Sequence, residues 1–283
     1  MRALYKIFVV IFIIFSFSNC EKENCPDYNP YYGCELIADS LDNYLKIKSL
    51  DLSYSNLEML CTDIAVFHNL VELDLSNNKL SYLPYFISQL NSLSILNINH
   101  NYLYQFPEPL SSMKSLGYLF IHTNSIESIP DSFCISLNLY QFDIHNNCIN
   151  ELPENIGKMN NLVFLDISMN NITDIPPSFY ELKNIEWLFM QYNAIDNLNE
   201  NIGNFEKIEY LKLNNNNLNE LPDAIASLTG LKELHIQNNQ LKSLPDNIGN
   251  LINLEKLYAW NNEFSENEKQ RIINSLPKTK IFF

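Results

Sequence analysis

Residues 231–253 read LKELHIQNNQLKSLPDNIGNLIN, which has the spacing L-x-x-L-x-L-x-x-N-x-L-x-x-L-P-x-x-I-x-x-L-x-x. The same frame begins at Ile47, Leu70, Leu93, Leu116, Leu139, Leu162, Ile185, Ile208 and Leu254, always 23 residues apart. Ten frames without an insertion or deletion between them are not chance. A fixed period of this length marks a stack of identical supersecondary units, each burying its apolar face only against its neighbours.

The chemistry of one unit follows from counting along it. Side chains alternate on a strand, so positions 4 and 6 are expected to point inward and positions 3, 5 and 7 outward. Successive strands would pair in parallel, with the bulkier positions 11, 14, 18 and 21 forming the opposite, convex wall. Position 9 is asparagine in nine frames, from Asn78 to Asn262, with Ser55 the exception. After the strand the backbone loses its ladder partners, and an inward amide can donate to and accept from those groups. Position 15 is proline in seven frames, which removes a donor and fixes φ where the chain enters the convex side. Asn199 replaces that proline in the seventh frame, so a looser turn is expected there. Position 18 adds an inward isoleucine at Ile87, Ile156, Ile225 and Ile248.

With its leucine-proline step, this repeat resembles the leucine-rich repeat family, 23-residue class, over residues 47–276. It is similar to repeats of many bacterial proteins and of Ras-group intracellular relatives. The resemblance implies an α/β-type solenoid: a horseshoe of ten repeats with a parallel β-sheet on its concave face and a cap at each end. It also implies protein–protein recognition through that face.

The outward columns then name the candidate site. Both tryptophans of the chain, Trp187 and Trp260, fall on them, with Tyr118, Phe120, Phe164, Phe189, Tyr210 and Tyr258. None is needed for the core. Exposed aromatics on a rigid sheet are costly unless covered, and aromatic anchors dominate interface hot spots. Ring stacking along a parallel ladder supplies some stability by itself, but eight rings exceed that need. The middle of the face, repeats four to eight, is therefore expected to bind a protein or peptide, with His122, His145, Asp143, Asp166, Gln191 and Lys212 as its polar surround. A glycan ligand and an architectural role without a specific ligand are the alternatives. The two histidines and two aspartates are the one cluster that could carry chemistry. On an open, shallow face they read as hydrogen-bonding groups, with no metal, cofactor or catalytic site expected. Phosphate-loop, G-x-S-x-G and H-E-x-x-H motifs are absent from the sequence.

The ends have their own signals. Arg2 and Lys6 precede an apolar run over residues 7–15, too short to cross a bilayer, and residues 1–19 read as an export signal. Cys20 follows at once, in a layout similar to a bacterial lipoprotein signal that leaves this cysteine to carry lipid. Phe17 and Asn19 depart from that family's usual box. The expected location is the bacterial cell envelope or surface, otherwise secretion, with a membrane contact through the lipid anchor. Residues 20–32 read as a tether and residues 33–46 as an N-terminal cap, with a short amphipathic helix over 35–45. The solenoid spans 47–264. Cys25, Cys34 and Cys61 cluster around the cap, where a disulfide is expected, Cys34–Cys61 being the first pairing to test. Ser265 and Glu268 match a capping box, so residues 265–283 are expected to form a second cap with a helix over 266–275 and residues 281–283 folded back as an apolar lid. The net charge of −15 would be −17 without Arg2 and Lys6. It argues against nucleic acid and anionic lipid headgroups as partners. The expected form is a monomer.

Overall fold

The computed structural model describes residues 45–136 and 138–283. The signal, the tether, nearly all of the N-terminal cap and Cys20, Cys25 and Cys34 lie outside the described residues. Eleven three-residue strands, β1 (Ser49–Asp51) through β11 (Lys280–Phe282), form one sheet in strictly sequential parallel order. From β1 to β10 the register advances by one repeat per strand, so Phe164 faces Trp187 and Trp187 faces Tyr210. At ~4.8 Å between strands the sheet extends on the order of 48 Å.

The inward positions form a continuous apolar column: Leu73, Leu96, Leu119, Phe142, Leu165, Leu188, Leu211, Leu234 and Leu257 are inaccessible to solvent. Position 18 supplies the opposite wall, where Ile87, Leu110, Phe133, Ile156, Phe179, Ile202, Ile225 and Ile248 are all buried. Each convex segment of the first nine repeats is a short 3-10 helix, such as Tyr85–Gln89 or Asp223–Ser227, except the short α1 (Asp131–Ser136). In several of these turns the position-15 proline is the N-cap, and its carbonyl accepts the first bond, as Pro84 O does from Ile87 N–H at 3.1 Å.

The asparagine column is what ties one turn of the solenoid to the next. Asn101 Oδ1 accepts the Leu80 N–H of the preceding repeat at 2.9 Å, and its Nδ2 donates to Leu75 O and Ile98 O. Asn124 through Asn262 repeat the pattern. Backbone groups that no ladder can serve are thereby satisfied inside a dry core.

Three local expectations change. The seventh convex turn is not looser. Asn199 keeps the N–H that proline lacks and gives it to the Tyr180 hydroxyl at 3.0 Å, while its side chain caps Glu200–Asn204 by accepting Asn201 N–H at 2.8 Å. The last residues cover the end of the solenoid as a strand: Lys280–Phe282 pair in parallel with β10 and continue the sheet, with Ile281 packed against the core, because Leu276 and the turn after it bring the chain back to the strand edge. The capping box is half formed. Ser265 Oγ accepts Glu268 N–H at 3.2 Å at the start of α2 (Glu266–Ser275). The Glu268 carboxylate instead reaches back to Leu244 N–H and Arg271, bonding the cap to the last convex turn. Ile272 and Leu276 are buried over that turn as expected.

Candidate functional site

All ten position-8 residues, immediately after the concave columns, have left-handed backbone with φ between 51° and 57°. Five are asparagine, the non-glycine residue that tolerates this region best; the others are Tyr54, His100, Thr123, Met169 and Tyr192. The turn also explains part of the acidic column. Asp51, Asp74, Asn97, Asp143 and Asp166 at position 5 each accept the backbone N–H two residues on. Asp143 and Asp166 therefore terminate their strands besides lining the face.

The outward aromatics lie on the concave side, and the structure sorts them into groups. Tyr118, Phe164 and Trp187 line a shallow cavity of about 440 Å³ together with Tyr140, Gln141 and Val163. Tyr118 is 38% exposed and stacks on Tyr140, centroids 6.2 Å apart. Trp187 stacks on Tyr210 at 6.0 Å, and Phe164 meets Phe189 edge to face at 5.3 Å. Lys212 holds its ammonium 4.0 Å from the Phe189 ring centre, a cation–π contact. Phe120 is half-buried in register with Asp143, and Gln191 is half-buried with its Oε1 unpartnered.

Tyr258 and Trp260 belong to a separate group. Tyr258 is sandwiched by His235 at 4.2 Å and Phe282 at 4.8 Å, with Trp260 edge-on at 5.8 Å. This is ladder packing that closes the C-terminal end of the sheet. Counting missed Tyr140 and Val163 because they sit at position 2, just before the strand. It missed Phe282 because residues 281–283 were expected to fold back as an apolar lid, not to add a strand.

The polar cluster sits beside the cavity strands. His122 and His145 stack at 4.1 Å, 14° from parallel, and His100 meets His122 edge-on at 5.3 Å. His145 Nδ1 is 2.7 Å from Asp143 Oδ1 and 4.0 Å from Asp166 Oδ2. Burial lowers the His122 pKa to about 4. The hydrogen bond to Asp143 raises that of His145, and burial raises that of Asp166. Ligand atoms of His122, Asp143 and His145 all lie within 4.8 Å of one another. Elsewhere, Cys61 is disulfide-bonded; Cys34, its expected partner, lies outside the described residues. Cys134 is buried and Cys148 exposed, both with free thiols.

Two family models match the chain: "Leucine rich repeat" over residues 46–103 and 137–195, and "Leucine-rich repeat region" over 186–280. The chain is a leucine-rich repeat protein. Among solved structures it is similar to an LRR protein of Leptospira interrogans, at 32% identity and TM-score 0.82, covering 86% of this chain and 62% of that one. The repeat protein is also similar to the plant peptide hormone receptor RGFR1 in complex with RGF2, at 26% identity and TM-score 0.69, covering 77% of this chain and 36% of that one. A functional domain of InlJ from Listeria monocytogenes, at 20% identity and TM-score 0.63, covers 86% of this chain and 54% of that one and shares the fold. The chain thus spans less than two thirds of each of these proteins. Comparison with curated proteins finds no significant match. Among the described residues, no helix is long and apolar enough to cross a membrane.

Proposed function

We propose that this protein is a non-enzymatic recognition module that takes a protein or peptide ligand on repeats four to eight of its concave face. The observation that carries the reading is the 440 Å³ cavity walled by Tyr118, Tyr140, Phe164 and Trp187, with Gln141 and Val163 between them. An aromatic hollow with one amide suits an apolar side chain whose backbone must still be hydrogen-bonded. Its walls stand on strands fixed by the asparagine ladder, so little ordering entropy is lost on binding. The plant receptor bound to RGF2 shows a similar solenoid engaged with a ligand, and the Leptospira and Listeria proteins place similar solenoids in bacteria. The module acts as a monomer, exported by residues 1–19 and anchored through lipid on Cys20.

Peptide-display selection on the purified protein, beside a glycan array, tests the ligand class. Enriched peptides that lose binding to a Trp187→Ala/Phe164→Ala variant support the reading. Saturable glycan binding lost in that variant moves the assignment to carbohydrate, and selected peptides indifferent to it remove the cavity as the site.

A further inference from the structure

Position 7 carries serine, asparagine, glutamine or, at Trp260, tryptophan in the other eight repeats, so the ladder does not ask for histidine there. Two adjacent strands nonetheless place His122 over His145. The carboxylate beside them is only partly used by the fold. Asp143 Oδ1 takes both the N–H and Nδ1 of His145, and its Oδ2 accepts no hydrogen bond from the described residues. Asp166 turns Oδ1 to Ser168 and Oδ2 toward His145. No lysine or arginine among the described residues pairs with either carboxylate. His122 Nδ1 is engaged by the Thr123 hydroxyl at 3.1 Å, which leaves Nε2 as its ligand atom.

We propose that His122, Asp143 and His145 form a binding site for an imidazole-preferring transition-metal dication, zinc above all, with Asp166 as an outer carboxylate and a coordination position open to the concave groove. Donors on a tetrahedral zinc at roughly 2.0–2.2 Å stand roughly 3.3–3.6 Å apart. The three residues offer ligand atoms within 4.8 Å of one another, and because the two imidazoles are stacked nearly parallel, one ring must turn out of the stack for both in-plane lone pairs to meet a single ion. Carboxylate-oriented imidazoles are the usual way proteins fix such ligands. The site goes beyond the peptide reading: its residues, at positions 5 and 7, lie toward the opposite end of the strands from the aromatic cavity at positions 2 and 3 of the same face.

The test is zinc titration of the chelator-treated full chain against a chromophoric competitor, with Co²⁺ absorption as a report of ligand geometry. The expected result is one saturable equivalent, a tetrahedral Co²⁺ spectrum, and at least tenfold weaker binding in His122→Asn and in His145→Asn. Asparagine already occupies this column at Asn99 and Asn214, so these variants keep the fold, checked by circular dichroism. Asp166→Asn is expected to weaken binding less. Absence of a saturable equivalent, or zinc binding unchanged in the His122→Asn/His145→Asn double variant, overturns the proposal.

Discussion

Asn170→Ala at the centre of the ladder measures how much the inward amides contribute. Asn170 Oδ1 accepts Ile149 N–H at 3.0 Å, and Nδ2 donates to Ile144 O, Ile167 O and Ser168 O at 3.1–3.2 Å. The three carbonyls each keep a second donor: Asn147 Nδ2, Asn193 Nδ2 and Asn146 N–H. Ile149 N–H keeps none and lies in a buried part of the turn. The loss therefore concentrates on one orphaned donor, about 1–3 kcal/mol, with about 1 kcal/mol more for the bonds to shared carbonyls. We expect a destabilisation of about 2–4 kcal/mol, against less than about 0.5 kcal/mol for exposed Asn150→Ala. Equilibrium urea denaturation followed by far-ultraviolet circular dichroism reads both, provided the denaturant slope is unchanged. A loss under about 1 kcal/mol for Asn170→Ala would show that the ladder is dispensable and that apolar stacking alone sets the repeat geometry.

Tyr180→Phe strips the acceptor from Asn199 N–H while leaving the stacked ring beside Phe205, so about 1–2 kcal/mol is lost. The same change in an Asn199→Pro background, which has no N–H, should cost much less, and equal costs would refute the pairing. Met169→Asn replaces an exposed side chain at φ 54° with the residue found at Asn146. It should stabilise by about 0.5–1 kcal/mol, whereas a lower urea midpoint would mean Met169 makes a compensating contact. Because the folded chain holds His122 at about pKa 4, below the ordinary 6.5, the unfolded chain binds the extra proton between these values. The His122 contribution to stability should therefore fall as pH drops from 6.5 toward 4, opposed by that of His145, whose raised pKa adds stability as pH falls. His122→Asn should flatten that slope, and an unchanged slope assigns the effect to another group.

The solenoid was legible because its cause is a count. One register fixes which residues are inward, and burial of the position-6 and position-18 columns follows from it. Asparagine at position 9 was readable for the same reason, since a turning backbone has few other ways to satisfy its polar groups. The position-8 asparagines were present in the sequence but uninterpreted, because a left-handed φ is a backbone property that Met169 and Tyr192 also adopt at a cost. Asp143 and Asp166 looked purely like surface groups until their bonds to the following N–H groups appeared. The concave site was legible as a list of columns and illegible as a grouping. Trp187 at position 3 lies beside the cavity and Trp260 at position 7 packs on Tyr258, but the alternation rule turns both columns outward alike and does not say which one walls a hollow. Tyr140 joins the cavity from position 2, where strand edge meets convex turn, a place the alternation rule does not reach. The eleventh strand escaped because residues 280–282 sit one residue out of the 23-residue frame.

The most direct measurement of peptide recognition is a ratio of dissociation constants for one display-selected peptide, taken by calorimetry on wild type, Trp187→Ala and Trp260→Ala. A central aromatic anchor is worth about 2 kcal/mol or more, about thirtyfold in affinity. Recognition in the cavity predicts that loss for Trp187→Ala and less than about threefold for Trp260→Ala. Equal effects at the two tryptophans, or no effect at Trp187, would contradict it.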